Sequence, residues 1–178
     1  MKDPDTDQFL NVTEFAGQSI SVEQLERICH RYHWAAQYCA SSDVVELACG
    51  GGQGLGLLAQ TAKSVRGGDI SPEVLSQARA TYGDAIPLDV FPADRIPVGD
   101  ATVDVLLLFE ALYYLPAPAP FAIEAYRVLK PGGILLIATA NKDLYDFTPS
   151  PYSNQYLGVR ELDELLSALG FESQFAGY

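Results

Sequence analysis

The chain has 178 residues, of which 48% are apolar and 11% aromatic, enough for one domain with a packed core and too apolar for a disordered chain. Its net charge of −12 argues against nucleic acid or an anionic membrane as the main partner, because both attract Lys and Arg. No apolar run reaches the length of a membrane span, residues 1–8 lack the apolar core of a secretion signal, and the three cysteines include no C-x-x-C pair. A cytoplasmic protein with reduced thiols is the expectation.

Residues 1–18 read as a loose lead-in. Ser21-Val22-Glu23-Gln24 matches a capping box, so a helix is expected from there. Val22, Leu25, Ile28, Cys29, Tyr32, Ala36 and Cys39 recur at helical spacing, with Glu23, Glu26, Arg27 and His30 on the opposite side. Near its end Arg31, Tyr32 and His33 are candidates to face a ligand, and a solvated Arg and His beside a core Tyr is the plain alternative. Residues 1–40 are thus expected as a lead-in and helix capping a site, and 41–178 as the single ligand-binding domain.

From Val44 the pattern becomes strand, helix, strand, helix. Val44–Cys49 reads as a buried strand, followed by four glycines within five positions (Gly50, Gly51, Gly52, Gly54) and a helical run over Leu55–Ala62. A turn so bare of Cβ atoms lets a ligand approach the backbone. Ser64–Ile70 is a second strand, and Ser71-Pro72-Glu73 starts a helix that runs to Tyr82, with Ser as cap, Pro first and an acid in the first turn. Ala85–Val90 is a third strand. The run Thr102–Phe109 should be central and covered on both faces. A helix over Pro118–Leu129 is stopped by the turn Lys130–Gly133. Ile134–Thr139 is another strand, Asn141–Gln155 a long aromatic-rich loop, Arg160–Leu169 an amphipathic helix and Phe171–Phe175 a last strand. The expected fold is α/β, a doubly wound, mostly parallel sheet with helices on both faces, whose ligand lies at the carboxyl ends of the strands.

The dinucleotide fingerprint G-x-G-x-x-G/A fails here: from Gly50 its third position is Leu55, and from Gly52 it is Leu57. The pattern present is Glu46-x-x-x-Gly50-x-Gly52, with Asp69 at the end of the second strand. With Gly68-Asp69-Ile70-Ser71, the segment Arg95–Asp104, Phe109–Leu115 and Arg127-Val128-Leu129-Lys130-Pro131-Gly132-Gly133, it resembles the class I S-adenosylmethionine-dependent methyltransferases over roughly Val44–Gly170.

That resemblance implies S-adenosyl-L-methionine as cofactor, S-adenosyl-L-homocysteine as product and no metal. The implied cofactor residues are Tyr32, Glu46, Ala48, Gly50, Gly52, Gln53, Asp69, Ile70, Ala93, Phe109 and Glu110, with either Asp89 or Asp94 at adenine, because Pro92 stands where the family has an acid. Glu110 and Tyr114 are the catalytic candidates. Tyr113, Tyr114, Asn141, Tyr145 and Tyr152 are the acceptor-side candidates, for a small-molecule methyl acceptor attacked through O or N. The family's closing strand hairpin has no counterpart after Phe171–Tyr178, so the sheet edge is finished differently, for instance in a homodimer, or the chain is truncated. A catalytically idle cofactor-binding module is the alternative reading, and a nicotinamide-dependent oxidoreductase is disfavoured by the failed glycine spacing.

Overall fold

In the computed structural model, which describes residues 20–177, five parallel strands form one sheet in the order β3-β2-β1-β4-β5: β1 Asp43–Leu47, β2 Ser64–Asp69, β3 Leu88–Val90, β4 Val103–Phe109 and β5 Leu129–Ala138. The helices are α1 Val22–Cys39, α2 Leu55–Leu58, α3 Pro72–Tyr82, α4 Pro118–Val128 and α5 Val159–Ser167, with a 3₁₀ turn at Leu112–Tyr114. Alternate residues of each strand feed two cores, as period-2 geometry requires. Val44, Val105 and Leu107 pack with Tyr32, Cys39, Leu58 and Leu75 on one face. Val45, Leu47, Leu106 and Leu108 pack with Phe121, Ala125, Val128 and Leu162 on the other. Two covered faces make the sheet doubly wound, as the sequence predicts, with β1 in the middle and β4 beside it.

The capping box at Ser21 forms as expected: Gln24 N–H donates to Ser21 Oγ at 3.1 Å, and Ser21 N–H donates to Gln24 Oε1 at 3.1 Å. The apolar stripe of α1 is buried only in its second half, at Tyr32, Ala35 and Cys39, while Val22 is 73% and Leu25 50% exposed. The lead-in expected over residues 1–18 lies outside the described residues.

Three expectations are corrected. The helix expected over Leu55–Ala62 stops at Leu58, because the Thr61 carbonyl accepts from Ser41 N–H (2.9 Å) and turns the chain into β2. Lys130–Gly133 is not a stop ahead of the strand but a bulge inside β5: Val103 pairs with Leu129, and two residues later Val105 pairs with Ile134. The bulge brings Lys130 Nζ to 2.8 Å from Asp104 and 3.3 Å from Asp43 at the amino ends of the strands. Phe171–Phe175 is not a strand. It has no ladder partner, Phe171 N–H donates to Leu166 O, and its ring stands edge-on to Tyr126 at 5.7 Å instead of beside β5. Among the described residues β5 is paired on one side only.

Candidate active site

Beyond Leu47 the chain leaves β1 through backbone conformations that L-residues rarely adopt. Ala48 has φ +50°, and Gly50 and Gly52 have φ +58° and +77°. Across the crevice, at the end of β4, Glu110 also has φ +50°. The register Leu47–Leu108 places Cys49 and Glu110 abreast, two residues further on. Ala48 and Glu110, two non-glycine residues in the left-handed region, therefore flank the point where the strand order reverses direction. This is where open α/β sheets bind ligands, and where backbone strain concentrates in functional sites.

Glu46, near the end of β1, is 1% exposed. Tyr32 of α1 donates its hydroxyl to Glu46 Oε1 at 2.5 Å, while Oε2 has no hydrogen-bond partner among the described residues. Burial pushes the Glu46 carboxyl up to about 7, against the opposing pull of the Tyr32 hydrogen bond and the Arg31 charge. Tyr32 reaches Glu46 across Gly54, where a Cβ would lie 1.8 Å from the tyrosine ring. At Gly54 the expectation is thus revised: the space left by the missing side chain is filled by the protein's own helix.

Asp69, buried at the end of β2, accepts from Gly50 N–H through Oδ2 (3.0 Å) and from Ser71 N–H through Oδ1 (2.9 Å). Burial pushes its carboxyl up, and the backbone N–H groups of Ser71, Gly50 and Ile70 pull it back. One side chain ties the glycine turn to the start of α3, whose cap Ser71 accepts from Val74 N–H at 3.2 Å.

The cavity that takes in these strand ends is broad, reaching as far as Lys130–Gly133 at the amino ends, and on the β1–β2 side it is lined by Tyr32, Ala48, Gly50, Gln53, Asp69 and Ile70. Ala93, Asp94, Phe109, Glu110, Tyr113, Tyr114, Asn141 and Tyr152 also line it, whereas Glu46 and Gly52 are buried behind the lining. Of the two acids left open in the sequence, Asp94 is among the residues around this broad cavity, and the Asp89 carboxylate lies 3.6 Å from Arg66. Tyr145 is corrected: it is 100% exposed and outside the lining, and the loop's ring contacts are made by Phe147 on Tyr156.

Glu110 accepts from Arg31 Nη1 at 3.0 Å through Oε1 and from the Tyr113 hydroxyl at 3.1 Å through Oε2. The Arg31 guanidinium also lies 5.9 Å from the centre of the Phe109 ring. Burial, then the Glu110 charge, hold the Tyr113 hydroxyl protonated, and burial raises Tyr114 in the same direction. Both tyrosines suit hydrogen-bond donation rather than proton abstraction.

Two contributors were not singled out from the sequence. Trp34 lines the cleft from α1, and Gln24, Arg27, Arg31, Trp34 and Tyr38 recur at helical spacing along that lining face, a polar and aromatic stripe that reads as solvated. Asn154 clips the long loop onto the 3₁₀ turn, donating from N–H to Tyr113 O (2.8 Å) and from Nδ2 to Tyr114 O (2.7 Å). An isolated Asn in a polar loop gives no signal of this kind.

A protein-family profile described as a methyltransferase domain matches residues 45–137. A Mycolicibacterium smegmatis protein named a probable S-adenosylmethionine-dependent methyltransferase is 35% identical over 145 residues, 79% of this chain and 56% of the relative. A Mycobacterium tuberculosis protein of the same description is 31% identical over 144 residues, 79% of this chain and 52% of its own length. The chain therefore spans about half the length of these relatives. A Haloferax volcanii methyltransferase, solved in complex with the Trm112 methyltransferase activator, superposes with a TM-score of 0.72 at 27% identity, covering 82% of this chain and 69% of that one. With the parallel sheet, the glycine turn and Asp69 in their expected places, this chain belongs to the class I S-adenosylmethionine-dependent methyltransferases.

Proposed function

We propose that the chain binds S-adenosyl-L-methionine in the crevice between β1 and β4 and directs its methyl group onto an oxygen or nitrogen of a small molecule, releasing S-adenosyl-L-homocysteine. The observation that carries this reading is Glu46, a fully buried carboxylate at the base of the glycine turn with one oxygen lacking a protein partner among the described residues. Such a group calls for positive charge close by, and the methionine end of this cofactor carries an ammonium beside a sulfonium. The fit extends along the cleft. Gly50, Gln53, Asp69 and Ile70 would hold the amino-acid and ribose parts, and Ala93 and Asp94 would flank the adenine.

When bound, the cofactor supplies a methyl carbon already activated by its positive sulfur. What remains for the protein is alignment and exclusion of water. Phe109, Tyr113 and Tyr114 form apolar walls beside the strand ends, and the loop that Asn154 clips to the 3₁₀ turn closes one side. Glu110, held by Arg31 and Tyr113, would be the group that accepts a proton from the acceptor atom.

Calorimetric titration with S-adenosyl-L-methionine, S-adenosyl-L-homocysteine and NAD tests the reading. The first two should bind. Tight NAD binding without either sulfur compound would overturn it.

A further inference from the structure

We infer that Tyr82, the last residue of α3, is a positioning residue for the cofactor: its hydroxyl sets the shape of the glycine turn ahead of binding, without touching the ligand. This rests on the reading above that S-adenosyl-L-methionine binds over that turn.

The hydroxyl stands inside a helical ladder. At the start of α2 the Gly56 N–H would ordinarily donate to the carbonyl four residues back, that of Gly52. Tyr82 comes between the two. Its hydroxyl accepts from Gly56 N–H at 3.1 Å and donates to Gly52 O at 2.7 Å. One oxygen thus joins a main-chain donor and a main-chain acceptor on either side of Gln53-Gly54-Leu55. The ring fits because both positions lack a Cβ. A Cβ at Gly52 would lie 3.0 Å from the Tyr82 ring and 3.0 Å from Ala78 Cβ, one turn earlier in α3. A Cβ at Gly56 would lie 3.1 Å from the hydroxyl.

Helix α3 therefore grips the turn at both of its ends. Before its first residue, Asp69 holds the N–H groups of Gly50 and Ser71. At its last residue, Tyr82 holds Gly52 and Gly56.

The consequence for the ligand runs through one peptide group. The Gly52–Gln53 peptide is trans, so its C=O and N–H point in opposite directions. Holding the Gly52 carbonyl on Tyr82 turns the Gln53 N–H away from that side chain, and Gln53 lines the cavity whereas Tyr82 does not. A run with glycine at positions 50, 51, 52 and 54 has more backbone freedom to lose than other sequences would. With Tyr82 in place that freedom is lost on folding rather than on binding, which strengthens binding.

Tyr82→Phe keeps the ring and removes the hydroxyl. Calorimetry with S-adenosyl-L-methionine and S-adenosyl-L-homocysteine, well below the melting transition of both proteins, should give a Kd about five- to tenfold higher in the variant. In the ligand-free proteins, exchange of the Gly54, Leu55 and Gly56 amides followed by NMR should quicken about tenfold in the variant, and S-adenosyl-L-homocysteine should restore their protection. Gly56→Ala presses a methyl group on the same hydroxyl, so it should raise Kd in the wild-type background and change it little in Tyr82→Phe. A lowered melting temperature with an unchanged Kd in Tyr82→Phe would make Tyr82 a purely structural residue and overturn the inference, as would full additivity of the two substitutions. If Tyr82→Phe does not fold, Gly56→Ala decides alone, an unchanged Kd again overturning it. A wild-type protein that binds neither sulfur compound sinks the cofactor reading and this inference with it, whereas unchanged variants sink this inference only.

Discussion

Glu46 binds protons more tightly in the folded chain than in the unfolded one, since burial pushes its carboxyl up from the ordinary 4.5 to about 7. Between those two values the folded state holds more protons, so stability is present in full at the acid end and declines as pH rises through about 7. The loss from this group is on the order of 3–4 kcal/mol, since each pH unit between the two values is worth about 1.4 kcal/mol. Melting temperatures measured from about pH 5 to about pH 8 should therefore fall, and Glu46→Gln should flatten the slope and melt higher than wild type at the alkaline end while binding S-adenosyl-L-methionine more weakly. A slope unchanged in Glu46→Gln would show that another group titrates. Asp69 carries a second duty that its position in the motif does not advertise: its two oxygens hold Gly50 and Ser71. Asp69→Asn should cost about 1–2 kcal/mol in denaturant unfolding, since one backbone N–H would then face an amide NH₂, in addition to any loss of cofactor affinity. The sequence pattern singles out Glu46 and Asp69 as candidates because they sit at the ends of β1 and β2, on either side of the glycine turn. It is silent on the hydrogen bonds, which depend on backbone groups any residue would supply.

At the scale of elements, α1 and the glycine turn form one unit joined by the contact of Tyr32 with Gly54 and the hydrogen bond from Tyr32 to Glu46. Gly54→Ala would drive a methyl group into the Tyr32 ring and should destabilise the protein by about 1–3 kcal/mol. Because the clash is with one side chain, Tyr32→Ala should relieve part of it. A double-mutant cycle by thermal or denaturant unfolding should show a coupling of about 1 kcal/mol or more, and strict additivity would place the strain elsewhere. Elements with a strong local signal were legible in advance. Ser21 and Ser71 cap their helices as read, and the run Val103–Phe109 is covered on both faces. Elements decided by pairing were not legible. Whether Phe171–Phe175 becomes a strand depends on a neighbour beside β5, and whether Lys130–Gly133 ends a helix or bulges a strand depends on Asp104 and Asp43, distant in sequence from each other.

For the molecule as a whole, a net charge of −12 on 178 residues means self-repulsion, which salt screens over a Debye length of about 8–10 Å at ordinary ionic strength. Raising sodium chloride from about 20 mM to about 500 mM should therefore lift the melting temperature by a few degrees. A drop would mean that ion pairs such as Lys130 with Asp104 outweigh the repulsion. On the acid side the balance reverses. The ammonium of Lys63 and the Ser64 hydroxyl hold Asp43 down to about 2, so its contribution is intact above the usual carboxylate range and is lost as pH falls toward 2. The two ends of the strands thus bracket the pH optimum from opposite directions. The outer edge of β5 adds a liability of another kind. Its main-chain groups face no further strand among the described residues, and Ile134 is 37% exposed there. An open edge of this sort is a template on which a stray extended segment can dock and grow. In concentrated solution this chain should begin to clump along β5, and light scattering should show Ile134→Lys, a gatekeeper charge on that edge, delaying the onset without altering cofactor affinity.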